Sequence, residues 1–228
     1  MSLLLRAITS PPRAEADADA RLVRVEAGGL TAWATRLAGE LAPFTREDVL
    51  AHHELVGEIF TSVDACLPAR FPTVFEDEAA LQKKVVAQQA NLASQLETVL
   101  GACELAVTAV WISSEDDPVE VEATTPGRRY LLERRHALAG SERRRARATQ
   151  LADAIEYVAG KELRQALRHV CPSTNVALSL ALLVNRTSAD AVRDCLGRDA
   201  QPDVRILVHG PWPPYSFAGT GSTVGREG

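Results

Sequence analysis

The chain opens on an apolar run, Leu3 to Ile8, ended by Thr9-Ser10-Pro11-Pro12, which reads as a strand. Residues 13–20 hold no large apolar side chain and are expected to form a surface loop. Leu22, Val23 and Val25 precede Gly28-Gly29, and Leu30, Trp33 and Leu37 follow it. The glycine pair reads as a hairpin turn between two strands, with the alternative that the second run slides into a helix. Thr45-Arg46-Glu47-Asp48 fits a capping box, and behind it Val49, His53, Val56 and Phe60 recur at helical spacing, with Leu50 and Ile59 widening the stripe. Pro68 ends that helix. A second helix is expected from about Glu76 to Leu100, with Leu81, Val85, Leu92, Leu96 and Val99 on one face and Gly101 just past its end. Cys103, Leu105, Val107, Ala109 and Trp111 then alternate as a strand. Residues 1–111 are therefore expected to be a small α+β domain, with helices on one face of a sheet.

A boundary is expected next, because Ser113 to Glu122 carries Glu115, Asp116, Asp117, Pro118, Glu120 and Glu122. Residues 112–228 are read as a second α+β domain. From 127 to 170 the pattern is helical, interrupted only by Gly140 and Gly160, with Leu151, Ile155, Val158, Leu163, Leu167 and Val170 lining its second half. Asn175 to Asn185 is apolar on both faces and reads as a central strand. A short helix (Ala189 to Leu196) and a last strand (Val204 to Val208) lead into a tail at 210–228, whose final ten residues are expected to be disordered. Gly210-Pro211-Trp212-Pro213-Pro214-Tyr215-Ser216-Phe217 packs three of the eleven aromatics and three of the twelve prolines into eight residues. The prolines fix φ and remove donors, so an extended backbone near polyproline II is expected, projecting Trp212 and Tyr215 from the same side. Such a stiff strip has little entropy left to lose on docking, whether onto its own second domain or onto a partner.

Composition changes this picture only a little. With 228 residues, 46% hydrophobic and 24% charged, the chain can bury a core, and no apolar run approaches a bilayer span. Three leucines at the N-terminus are too few for a secretory segment, so a cytoplasmic location is expected. The four cysteines show neither CxxC nor zinc spacing, and no metal is expected. Phosphate-loop and GxSxG patterns are missing, and His53-Glu54 has Gly57 where a zinc-binding HExxH needs its second histidine. With these signatures absent, no catalytic residue or cofactor is expected, and His53 reads as a core histidine.

Charge singles out one segment. Arg128, Arg129, Arg134, Arg135, Arg143, Arg144, Arg145 and Arg147 stand against Glu133 and Glu142, a net of +6 that leaves −11 for the rest of a chain of net charge −5. This stretch is either a solvated helix face or a docking face for an acidic protein; without interleaved aromatics it is a poor nucleic-acid platform. A second unusual stretch, Leu67-Pro68-Ala69-Arg70-Phe71-Pro72-Thr73-Val74-Phe75, sets one arginine between two prolines. Arg70 is expected to anchor that connection through carbonyls or a carboxylate, or to meet a partner.

The tail octapeptide after a strand resembles the C-terminal hallmark of the gas vesicle protein F/L family. Upstream, His53-Glu54 in a helix, the Leu67–Phe71 segment with Thr73 and Phe75, Gly101-x-x-Glu104 before a strand, and Gly127 with Tyr130-Leu131 opening a long helix are also similar to that family. Pro72 departs from the family's glycine, Thr108 from a common basic residue, and the first strand lacks its usual tyrosine. The resemblance, from about Arg21 to Phe217, implies a modified ferredoxin-like first domain and an α+β second domain with long antiparallel helices. It implies a non-enzymatic accessory protein of vesicle assembly, associated with the vesicle and contacting the hydrophobic shell protein A and other accessory proteins, with no nucleic-acid or membrane partner. The candidate structural or partner-binding residues are Arg70, Phe71, Thr73, Phe75, His53, Glu54, Arg134, Arg135, Arg143, Arg144, Pro211, Trp212, Pro213, Pro214, Tyr215 and Phe217. The competing reading is an interaction module that docks an acidic protein or nucleic acid through the Arg128–Arg147 face.

Overall fold

The structure, a computed structural model, describes residues 1–11, 21–37, 43–112, 125–171, 173–198 and 201–218. The expected surface loop at 13–20, the acidic linker from Ser113 and the last ten residues lie outside the described residues. The fold is α+β, with two sheets. Contacts divide the chain into a first unit, 1–104 with 211–228, and a second, 105–210.

In the first unit β1 (Leu3–Thr9) is the central strand, and every one of its residues is buried. On one side it pairs antiparallel with β3 (Leu30–Arg36), which carries β2 (Leu22–Ala27) at its far edge. Gly28 and Gly29 sit at φ 59° and 73°, the left-handed pair that a two-residue hairpin needs, and the second run is a strand rather than a helix. On its other side β1 pairs with two short strands, β4 (Cys66–Pro68) and β5 (Val74–Phe75). The β1–β3 register shifts between Leu5 and Ala7, which places Arg6 at a bulge.

Helix α1 (Arg46–Ser62) begins with the expected capping box: the Asp48 N–H donates to the Thr45 hydroxyl at 3.3 Å, and the Thr45 N–H donates to the Asp48 carboxylate at 2.7 Å. Its buried face is His52, Leu55, Val56, Ile59 and Phe60. This corrects the expected stripe by about a quarter turn: Val49 and Leu50 are exposed, and the core histidine is His52, not His53. The expected single helix from 76 to 100 is two, α2 (Glu78–Ala87) and α3 (Gln89–Val99), broken at Gln88. Leu81, Val85, Leu92, Leu96 and Val99 are all buried, so the stripe runs straight through the break and periodicity cannot reveal it.

The second unit is built on a four-stranded sheet in the order β7-β8-β6-β9. Strand β6 (Ala102–Trp111) lies between β8 and β9, and so joins this sheet instead of completing the first. The chain passes from one unit to the other inside β6, at Glu104–Leu105, and back inside β9, at Gly210–Pro211. The tail therefore counts with the first unit, whereas its place in the sequence groups it with residues 112–228.

Helix α4 (Pro126–Ala159) ends well before residue 170. Gly160 adopts φ 54° at its end, and Leu163–Val170 is strand β7, antiparallel to β8 (Val176–Asn185). Leu163, Leu167 and Val170 have helical spacing, but a strand ladder against β8 overrides it. Among the described residues α4 is the one long helix of this unit; α5 (Ala189–Arg198) is short and packs on it. Strand β9 (Val204–Trp212) continues four residues beyond the expected end. It is an edge strand, so Pro211 costs no ladder donor on its free side.

Candidate functional site

The tail turns immediately after β9. The Tyr215 N–H donates to the Pro213 carbonyl at 2.7 Å, and the Phe217 and Ala218 N–H groups donate to the Pro214 carbonyl at 3.1 and 2.9 Å. This closed turn replaces the expected polyproline II strip. Pro213, Pro214 and Phe217 are buried by it, and Pro211 and Trp212 stay exposed.

Trp212 and Tyr215 do face one partner, His53 on α1. The His53 ring lies 5.1 Å from the Trp212 ring centroid and stacks on Tyr215 at 5.8 Å, and its Nδ1 is hydrogen-bonded to the Tyr215 hydroxyl at 3.2 Å. Burial, then Cys66 and Glu104 nearby, push the Tyr215 phenol up to about 12, so it stays protonated. Glu54, the next residue on α1, is exposed.

The second tie is Glu104, at the start of β6 and only 7% exposed. One carboxylate oxygen accepts from the Ser216 N–H at 2.8 Å and the other from the Ser216 hydroxyl at 2.8 Å. Burial holds the Glu104 carboxyl above its ordinary range, against the two Ser216 donors, which favour the ionised form. Neither Glu104 nor Ser216 was among the candidate residues. The alternation sets Glu104 opposite Cys103, Leu105 and Val107, on the face that the pattern leaves to polar residues, so its burial against the tail is not legible in the strand.

The segment 67–75 is sewn onto β1. The Ala69 N–H donates to the Arg6 carbonyl at 2.8 Å, and the Leu5 N–H donates to the Thr73 carbonyl at 2.9 Å. The Thr73 hydroxyl donates to the Arg70 carbonyl, closing the loop that contains the cis Phe71–Pro72 bond. Phe71 packs edge-on to Phe44 at 5.0 Å and against His52 at 5.1 Å, and Phe75 is half-buried on β5. Arg70 contributes that carbonyl, and its side chain is exposed.

The buried arginine here is Arg6, which donates to the Thr35 hydroxyl from Nε and Nη2 at 3.2 and 2.9 Å. His52, 3% exposed, donates from Nε2 to the Ala69 carbonyl at 3.1 Å. Burial first, then the Arg6 charge, depress the His52 ring to about 4. Its Nδ1 has no hydrogen-bond partner among the described residues, so a second ring proton would be buried unaccepted. His52 is neutral at pH 7.

In the second unit α4 carries the arginines. Arg147 forks onto Asp203, Nε to Oδ2 at 2.7 Å and Nη2 to Oδ1 at 2.8 Å, and donates to the Gln201 side chain at 3.0 Å. Arg144 is half-buried, with its guanidinium 5.9 Å from the Trp111 ring centroid. Arg128, Arg134, Arg135, Arg143 and Arg145 are exposed. The face divides: its C-terminal end is structural, and these five arginines point to solvent.

Among the described residues no group of three or more His, Cys, Asp or Glu side chains is placed to hold a metal ion, and no helix is long and apolar enough to cross a membrane. What the geometry defines is an α+β protein with two sheets, whose clustered polar side chains close a terminal turn and a strand-flanking loop. The chain belongs to the family of gas vesicle synthesis proteins GvpL/GvpF, whose model matches residues 5–219. It is 31% identical over 196 residues to gas vesicle protein L2 of Halobacterium salinarum, covering 75% of this chain and 70% of that one. It is 27% identical over 185 residues to gas vesicle protein L of a Streptomyces species, covering 75% and 69%. In fold it is similar to the crystal structures of GvpF from Microcystis aeruginosa (TM-score 0.75, 13% identity, 96% of this chain and 99% of that one) and from Anabaena sp. PCC7120 (TM-score 0.75, 16% identity, 99% of each).

Proposed function

We propose that this protein is a non-enzymatic accessory factor of gas vesicle assembly, working in the cytoplasm in association with the vesicle, and that it binds the hydrophobic shell protein and other accessory proteins. The observation that carries this reading is the family match, which runs through both units and includes the docked tail. The polar groups at the tail support the non-enzymatic part, because Glu104, Ser216, His53 and Tyr215 are engaged with one another. The physical need is plain: a shell subunit apolar enough to keep water off a gas face is prone to aggregate before assembly, and a binder that holds or delivers it removes that hazard. Exposed Trp212, Pro211, Arg70 and Glu54 are the candidate contact residues of the first unit. The test is co-expression with the shell protein and affinity capture of this chain. Recovery of the shell protein in soluble form, lost without the bait, supports the reading; a shell protein that stays aggregated and uncaptured overturns it.

A further inference from the structure

We propose that the N-terminal half of α4 is a docking surface for an acidic amphipathic helix of a partner protein. The inference does not rest on the role in vesicle assembly and stands whatever protein supplies that helix.

The observation is a helix whose described side chains stay out of the core along its first half. The first buried residue of α4 among those described is Ala148, followed by Leu151, Ala152, Ile155 and Ala159, which seat the C-terminal half against β7 and β8. Before Ala148, no described side chain of α4 is buried. Arg147 and Arg144 hold the helix through Asp203 and Trp111; before them lie about 18 residues, or about 27 Å of helix at about 1.5 Å per residue, whose described side chains are exposed or half-buried. Helices rarely persist on propensity alone and draw most of their stability from packing.

Three large apolar side chains on this arm are exposed: Tyr130 at 58%, Leu131 at 66% and Leu138 at 59%. Leu131 and Leu138 are seven apart and so share one face, two turns from each other. Arg134 and Arg135 sit between them at helical neighbour positions, and the Arg134 guanidinium donates to the Tyr130 hydroxyl at 3.4 Å. Leucines interleaved with cations on one helix face are the complement of a helix whose apolar positions alternate with carboxylates.

The same geometry argues against the rivals. Arginines break the apolar stripe, so the arm cannot sink an unbroken face into a lipid interface as a membrane-surface helix does. A second copy packed about a two-fold axis would set the segment of net charge +6 against itself. Nucleic acid would meet a chain that carries −11 outside the segment, and would leave Leu131 and Leu138 without a partner.

The test uses the full-length protein and a synthetic peptide of about three heptads with leucine at the a and d positions and glutamate at e and g. A scrambled peptide of the same composition, a version with lysine for glutamate, duplex DNA and anionic phospholipid vesicles serve as comparisons. The acidic amphipathic peptide should bind at least about tenfold tighter than the scramble, and weaken at least about tenfold as salt shortens the screening length from about 10 Å to about 3 Å. Leu131→Asp with Leu138→Asp, and separately Arg134→Glu with Arg135→Glu, should each weaken binding at least about tenfold while the helical circular dichroism of the protein is kept. The lysine peptide should not bind. Equal binding of the scramble, no binding of the acidic peptide, or tighter binding of DNA or vesicles would overturn the proposal. So would self-association of the protein that Leu131→Asp abolishes.

Discussion

Removing the Ser216 hydroxyl with Ser216→Ala takes away one of the two donors on the Glu104 carboxylate and leaves the backbone N–H bond at 2.8 Å in place. A hydrogen bond to a charged group contributes about 1.5–3 kcal/mol. Ser216 is exposed, so water competes for its hydroxyl, and the expected loss is at the lower end, about 1–1.5 kcal/mol. Glu104→Ala removes both bonds but also ends the burial of a carboxylate that is 7% exposed. The two effects oppose each other, and the expected net loss is about 1–3 kcal/mol. In the double variant the hydroxyl has no carboxylate left to lose, so the coupling energy should be about 1 kcal/mol. The assay is urea unfolding of the four proteins, measured by tryptophan fluorescence in a Trp111→Phe background. Trp33 and Trp212 both lie in the first unit and Trp111 lies in the second, so the signal then reports the unit that holds the tail. Coupling below about 0.3 kcal/mol, within the additivity of independent sites, would refute the claim that Glu104 ties the tail down.

Two further outcomes rest on the same geometry. His52 is depressed from its ordinary 6.5 to about 4, so the folded state binds fewer protons than the unfolded one between those values, and stability is lost as the pH falls through that window. His52→Gln keeps a donor for the Ala69 carbonyl, and the stability of the wild type relative to this variant should drop by about 3 kcal/mol between pH 7 and pH 4; parallel pH profiles would contradict it. Gly140 lies inside α4 with nothing from elsewhere among the described residues within 4 Å of an added Cβ, so Gly140→Ala should stabilise the helix by about 0.5–1 kcal/mol, seen as slower amide exchange over residues 127–147. Unchanged or faster exchange would place a neighbour against that face.

The elements legible in the sequence are those whose signal is local. The Thr45–Asp48 box, the Gly28-Gly29 turn, the alternation of β6 and the two-faced apolar run of β8 are each fixed by a few neighbouring residues, and each is present. The misread elements depend on distant partners. Leu163–Val170 has helical spacing, but Gly160 ends α4 and the β8 edge recruits the segment as strand β7. Strand β6 alternates identically whichever sheet it enters, and pairing with β8 and β9 decides the matter. At the site, His53, Trp212 and Tyr215 were each singled out and do come together, but by a closed turn in place of an extended strip. His52 went unnoticed beside His53, although Leu55, Val56 and Ile59 stand three, four and seven residues beyond position 52, whereas only Val56 of the three stands at helical spacing from 53. Arg6 shows what a local pattern does convey: a charge inside a run apolar on both faces marks a place where the fold must supply partners, without saying which.

The central claim, that this chain serves gas vesicle assembly, is tested most directly in a host that carries a complete set of gas vesicle genes with and without this one. Vesicles scatter light and lose that scattering when pressure collapses them, so pressure-sensitive turbidity measures their number. The account predicts that pressure-sensitive turbidity disappears when this gene is deleted and returns when it is supplied in trans. Turbidity of undiminished magnitude in the deletion strain would contradict the account.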